Sequence, residues 1–493
     1  MQNYYFKIKV IKMGKWATPP LDAEAWHGLE SSKFFKKTFG IYKGLLALHT
    51  REDGYMHMYV PNKYFVLLHK RIRQINTKNY KALGKKLLTF YSVDKLALKA
   101  VQKIYHSPQK LSNTELASAI TRVRQWIHRI TVYDQFGWLA EEYWTPLMRN
   151  VLENKLKIAH GSEEYNRVLF ALAKPARIST TLSEKKAVLE QTIKIKNHKQ
   201  TLPKAADVLS RQFGWLPIFN YGDPWDAKHY SDELKDLAKK DLLILKNDFN
   251  KLKNYTSIRN HDIADTVKQY KINNKDSQIF IEFGLTVDTR NEAEYFCSYA
   301  GQYLMPLLKE AGRRLYLSSK QLRSLTEQQI KGALAGKINP EKLLRSKGKY
   351  DGWGYDKPMK KQLHFSSQEA EKLFKFIESY VKPIQGGDEN RGTCASPGKV
   401  TGKIRIVPYP KDNYKVKQGD ILVTYATTTD YLPAMKRAAA IITEVGGLTC
   451  HAAVVSREFN IPCIVALKNA MKNFRDGEMV EVDANRGVVK KLK

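Results

Sequence analysis

The stretch that decides the reading is Thr443-Glu444-Val445-Gly446-Gly447-Leu448-Thr449-Cys450-His451-Ala452-Ala453-Val454-Val455. The apolar run 440–443 leading into it reads as a short buried strand, and the residues beyond Thr449 have the apolar spacing of a helix. Between them Gly446 and Gly447 permit backbone torsions that a side chain forbids. Thr449 is expected to cap the helix, with His451 in its first turn. Unpaired N–H groups at a helix start attract anions, and the helix dipole adds to the attraction. A histidine placed there can present a ring nitrogen to a phosphoryl group, and the same N–H groups would stabilise the charge of the resulting phosphohistidine. Thr449 and Cys450 are candidates to hold the ring or the phosphate. The chemistry would be nucleophilic catalysis by imidazole, one difficult transfer split into two. A lone histidine beside a glycine pair also suits a capping or core role, and spacing leaves both readings open. His451 is the only histidine in residues 391–493, although the chain has twelve.

Around this turn the pattern alternates. Short β-rich runs occur at 399–407, 420–424, 440–443, 462–467 and 478–483, with helical patterns at 430–438 and 449–459 between them. Alternation of this kind predicts an α/β domain over 393–493. The small, polar segment 385–392, which includes Gly386 and Gly387, is the best linker in the chain. Residues 1–384 read as mainly helical, with a candidate break near 155–205. Leu116, Ile120, Val123, Ile127 and Ile130 fall on one helical face behind a Ser112/Glu115 capping box. Thr326 and Gln329 form a second box, with Gly336 as the stop. Lys-rich helices packing one face are expected at 182–200 and 231–255. FGWL occurs at 136–139 and at 213–216, a weak hint of duplication.

Composition narrows the class. The chain has 493 residues, 43% hydrophobic and 11% aromatic, too many for a disordered polymer. It has no 18-residue apolar run, and its start has no apolar core of signal-peptide length. Its four cysteines form no CxxC pair, so a reduced, cytoplasmic setting is the default and no intrinsic metal site is expected. The net charge of +34 invites a nucleic-acid reading. Two observations weigh against it. The excess comes from 61 Lys against 22 Arg, and residues 391–493 carry +8 of it, close to their proportional share.

The C-terminal blocks, taken together, resemble the mobile phosphohistidine domain of the PEP-utilising enzymes, the family of phosphoenolpyruvate synthase, pyruvate phosphate dikinase and the rifampicin phosphotransferases. Gly392 to Gly398 with Gly402-Lys403 resembles the opening of that domain. Gly419 to Val423 followed by Thr428-Thr429-Asp430 resembles its second strand and turn. The Gly-Gly-Leu-Thr-Cys-His core comes next. Arg457-Glu458-Phe459-Asn460-Ile461-Pro462 is similar to the family's Arg-Glu-x-Gly-Ile-Pro, with Asn460 in place of glycine. Gly477, Val480, Val482, Asp483 and Gly487 fit the closing strands. The resemblance implies that His451 is the phosphoacceptor, with Gly446, Gly447, Thr449 and Cys450 as its catalytic surroundings. Residues 306–336, and 173–177 with 179–181, are weakly similar to the helices of the rifampicin-phosphotransferase type.

Neither an ATP-grasp pattern nor a P-loop is found in residues 1–390, and the family's PEP/pyruvate barrel is not expected as part of this chain. The resemblance then implies a phosphotransferase component that needs an ATP-grasp partner in trans, with ATP and Mg²⁺ on that partner. The acceptor would be held by the helical region. Trp138, Glu142, Trp144, Trp215, Tyr221, Asp223 and Trp225, with Glu141 among the carboxylates of the first aromatic segment, are the candidates to line a cleft for a hydroxylated substrate, although core packing is the plainer reading of any single aromatic. Arg290, Arg313 and Arg314 are candidates to meet phosphate, against simple pairing with glutamate. The alternative is a non-catalytic binding or regulatory homologue of the same family.

Overall fold

A computed structural model describes residues 10–16, 46–50, 56–61, 107–220, 224–355, 362–380 and 390–492, with the single positions 67, 70 and 74. They fall into two compact units, one from residues up to 135 with 300–380, the other from 136–299 with 390–492.

The helix Asn113–Arg149, whose residues up to 135 belong to the first unit, is the one its spacing predicts. Ser112 Oγ accepts from Glu115 N (3.2 Å) and Glu115 Oε2 accepts from Ser112 N (2.7 Å), which starts the helix Asn113–Arg149. Leu116, Ile120, Val123, Ile127 and Ile130 are all buried. The Thr326/Gln329 box likewise opens Glu327–Leu334, and Gly336 follows with φ +70°. A feature the sequence reading missed is an antiparallel five-stranded sheet. Its strands are β1 (Val10–Trp16), β2 (Leu46–Thr50), β3 (Met56–Pro61), β4 (Tyr350–Tyr355) and β5 (Gln362–Phe365), in the order β1-β3-β2-β4-β5. β4 reads Tyr-Asp-Gly-Trp-Gly-Tyr, in which an aspartate and two glycines offset three strand-favouring aromatics, and it pairs with β2 some three hundred positions earlier. Tyr59, Phe365, Ala370, Leu373 and Ile377 pack the helix Ser367–Tyr380 onto this sheet.

The second unit contains the C-terminal sheet. All five expected strands form, as β7 (Lys399–Ile406), β8 (Ile421–Thr424), β9 (Ala440–Thr443), β10 (Cys463–Val465) and β11 (Met479–Asp483). Two four-residue strands join them, β6 (Thr393–Ser396) and β12 (Val488–Lys491). The order is β12-β11-β7-β8-β9-β10-β6, with β7 to β10 parallel and the flanking strands antiparallel. Parallel strands are buried on both faces, which explains why β8 (ILVT) and β9 (AIIT) are apolar without alternation. Ile404, Ile421, Val423, Ile442, Ile464 and Val480 fill one side. The helix His451–Phe459 packs against β6, β9, β10 and the helix Thr180–Lys196. The linker 385–389 lies outside the described residues.

The expected helix over 231–255 is two helices, Ala227–Ala238 and Leu242–Lys253. The second is capped by Asp241, whose carboxylate accepts from Leu243 N (2.7 Å) and interrupts the periodic run. The two FGWL copies are not equivalent. The first lies inside Asn113–Arg149, whereas the second ends Leu202–Phe213 and enters a 3-10 turn, Leu216–Asn220.

Candidate functional site

The site is built at the carboxyl end of β9, the usual place for ligands in a parallel sheet. Glu444 N and Val445 N donate to the carbonyls of Thr424 and Tyr425 (3.1 Å each), tying the exit of β9 to that of β8. The chain then turns at Gly446, φ +125°, a torsion open to glycine. Cys450, not Thr449, is the N-cap residue, and its side chain makes no capping bond. This corrects the expected cap: the helix begins one residue later than predicted, at His451, because the Thr449 hydroxyl is engaged elsewhere.

His451 is 3% exposed. Its Nδ1 lies 3.0 Å from Thr427 Oγ1, while Nε2 is buried and has no hydrogen-bond partner. Burial, helped by the positive charge of Arg290, pushes the ring's pKa down to about 3, so the imidazole is neutral near pH 7. The tautomer with its proton on Nδ1 donates to Thr427 and leaves a lone pair on Nε2. Burial also pushes the Cys450 thiol up, which keeps it protonated.

The turn is clamped from the helices of the same unit. The Glu141 carboxylate accepts from Leu448 N, from Thr449 N (3.4 Å) and from Thr449 Oγ1 (2.6 Å). Arg290 Nη1 donates to Thr449 Oγ1 (2.7 Å) and stands 4.0 Å from Glu141 Oε2. Gly447 is what admits the carboxylate, since a Cβ there would lie 2.1 Å from Glu141 Oε1. Gly137, a helical turn before Glu141, serves the same end. A Cβ on it would meet Arg290 Cβ at 2.7 Å, so it lets the two helices approach closely enough to present both side chains. Arg457 braces the turn from behind, donating to Leu448 O (2.7 Å) and Ala395 O (3.1 Å). Asn460 ends the helix in the left-handed region at φ 55°, a role asparagine shares with glycine, so the departure at this motif position keeps its backbone function.

A second cluster joins the same two stretches of the chain. Lys436 Nζ lies 3.0 Å from Glu184 Oε1 and 3.1 Å from Glu233 Oε1, with the Trp225 ring centroid 5.0 Å away. The two carboxylates hold Lys436 cationic. Burial raises Glu184 to about 7 despite the lysine.

The five residues around the turn are therefore together, whereas the expected cleft residues are dispersed. Trp144, Trp215 and Trp225 are buried. Trp215 donates its indole N–H to Gln212 O (2.8 Å) and meets Tyr299 edge-on. Trp225 stacks on His229 with 4.4 Å between centroids. Trp225 thus faces Lys436 rather than His451. The side chains of Trp138 and Glu142, and all of Tyr221 and Asp223, lie outside the described residues. Of the three arginines, Arg290 reaches the turn, while Arg313 and Arg314 pair with Glu310 (2.7 Å each). Sequence reasoning missed Thr427, Lys436 and the clamping role of Glu141. Thr427 opens the threonine run 427–429, which was a usable signal; Glu141 stood out only as a carboxylate in an aromatic segment, and Lys436 had no signal. Among the described residues no three His, Cys, Asp or Glu side chains are placed to share a metal ion, and no helix is long and apolar enough to cross a membrane.

Comparison with known proteins points to the same stretch of the chain. The family description "PEP-utilising enzyme, mobile domain" matches residues 416–487. A probable phosphoenolpyruvate synthase of Archaeoglobus fulgidus is 52% identical over 99 residues, 20% of this chain and 13% of that protein. A probable phosphoenolpyruvate synthase of Pyrococcus abyssi is 42% identical over 140 residues, 28% of this chain and 17% of its own length. The phosphoenolpyruvate synthase of Pyrococcus furiosus is 52% identical over 101 residues, 20% of this chain and 12% of that protein. The chain thus spans less than a fifth of the length of each of these relatives.

Proposed function

The chain is a member of the PEP-utilising enzyme family through its mobile domain, and from that premise we propose that it is a phosphotransferase component carrying a phosphoryl group on His451. The observation that carries the reading is the placement of that ring: bonded at Nδ1 to Thr427, and buried with Nε2 unpartnered. In the first step the Nε2 lone pair attacks phosphorus. An N–P bond forms as the bond to the donor oxygen breaks, its electron pair leaving on that oxygen. In the second step an acceptor oxygen takes the phosphorus and the N–P pair returns to Nε2. Arg290, whose charge already bears on the ring, is the proposed phosphoryl ligand. Thr427 fixes the ring, and the turn amides and the helix start supply further positive potential.

His451 is too enclosed to meet a donor in this arrangement, so the domain must move between sites. The linker 385–392 is the proposed pivot. We assign the donor to ATP with Mg²⁺ on a separate ATP-grasp chain, and the acceptor to the helical region. The test is intact mass after incubation with ATP and such a partner, or with phosphoramidate as a partner-free donor. One acid-labile phosphoryl group is expected, absent from His451→Ala. A label that persists in that variant, or none in the wild type with either donor, contradicts the reading and favours a non-catalytic homologue.

A further inference from the structure

The clamp at the His451 turn has an unusual partner for a would-be phosphate site. Two consecutive backbone amides, a hydroxyl and a guanidinium converge there, and that set of donors suits a phosphoryl group. Its occupant is a carboxylate of the protein itself, Glu141, which takes the Leu448 and Thr449 amides and the Thr449 hydroxyl. The cradle is shaped for an oxyanion, because a Cβ at Gly447 would collide with that carboxylate. Arg290 is shared: it donates to Thr449, stands 4.0 Å from Glu141 and bears on the His451 ring.

We infer that Glu141 is a built-in stand-in for the phosphoryl group, holding the unphosphorylated turn against the helices and being displaced when His451 is phosphorylated. This rests on the phosphohistidine reading and adds its regulation. A dianion on Nε2 and the Glu141 carboxylate compete for one cation and one set of amides, and like charges brought together repel. Phosphorylation therefore opens the contact at Glu141, whereas transfer to an acceptor restores it. The carboxylate acts on the turn rather than on reacting atoms, so Glu141 is a positioning residue. The donor set it vacates is an anion subsite, and its ligand class is a phosphoryl or phosphate dianion.

The experiment compares the full chain with Glu141→Ala, with inorganic phosphate as the probe. Hydrogen exchange at the Leu448 and Thr449 amides is read with and without phosphate, against chloride at equal ionic strength. Wild type is expected to be protected and indifferent to phosphate. Glu141→Ala is expected to exchange about tenfold faster or more, with protection returned by phosphate and not by chloride. Glu141→Gln, which keeps the shape without the charge, is scored for the same phosphate response, so the test survives if the alanine variant folds poorly. Exchange unchanged in the variants, or accelerated without any response to phosphate, overturns the inference. Labelling of His451 by phosphoramidate is followed in the same samples. A phosphate response without labelling sinks the phosphohistidine reading and keeps the subsite. Labelling without a phosphate response does the reverse.

Discussion

Two ionic clusters hold the mobile domain to neighbouring helices, and they differ in what can replace their members. At Lys436 one cation is enclosed by two carboxylates beneath Trp225, and Glu184 is fully buried. At the His451 turn the carboxylate of Glu141 is met by backbone amides, a hydroxyl and a guanidinium, all able to accept another anion in its place. The first contact is a fixed tether, since removing either sign strands a buried charge. The second is exchangeable, and it is the one beside His451. If the domain lets go during phosphoryl transfer, as proposed, it needs at least one contact of the second kind.

Breaking the tether should have the larger effect. Lys436→Met leaves Glu184 and Glu233 facing each other under cover, and a loss of about 3 kcal/mol in urea unfolding at pH 8 is expected. The loss should shrink at pH 5, where Glu184, already raised to about 7 by burial, takes up a proton. A loss below about 1 kcal/mol at pH 8 would show that the tether is not a fixed contact.

The His451 ring sharpens the comparison through pH. Its folded pKa of about 3 lies below that of an unfolded histidine, near 6.5. The unfolded chain therefore binds the proton first, so this contribution is complete above about pH 6.5 and is lost as pH falls toward 3. Wild type should lose about 1.4 kcal/mol relative to His451→Gln between pH 7 and pH 5.5. Equal pH dependence of the two proteins would mean that the ring is not held neutral.

Gly447→Ala probes the exchangeable contact with a single methyl group. It should expel Glu141 and accelerate exchange at the Leu448 and Thr449 amides about tenfold, costing ~1–2 kcal/mol. Unchanged exchange would show that the glycine does not admit the carboxylate. The smallest effect should come from the first unit. Glu115→Ala removes half of a capping box and should lower the thermal unfolding midpoint slightly, with no change in His451 labelling. A larger loss would mean that the box does more than start its helix.

What was legible in the sequence followed local rules. The five apolar residues from Leu116 to Ile130 and both capping boxes lie within one helix each, so spacing alone placed them. The C-terminal strands were legible because parallel, doubly buried strands are short apolar runs between turn residues. The five-stranded sheet was not, because β4 carries two glycines and an aspartate and pairs with β2 some three hundred residues away. At the site, His451 and its glycines stood out because a turn and a helix start are local features. Glu141 and Lys436 did not, since each meets its partners more than two hundred positions away along the chain. The helix start itself moved by one residue because Thr449 was drawn to a carboxylate that no local pattern announces.

The central claim is that His451 Nε2 accepts a phosphoryl group, and intact mass of the full chain after treatment with phosphoramidate tests it most directly. The account predicts one added phosphoryl group, lost on mild acid treatment and mapped to His451. It also predicts faster labelling in Glu141→Ala and none in His451→Ala. A wild-type chain that stays unlabelled, or equal labelling of the His451→Ala variant, would contradict it.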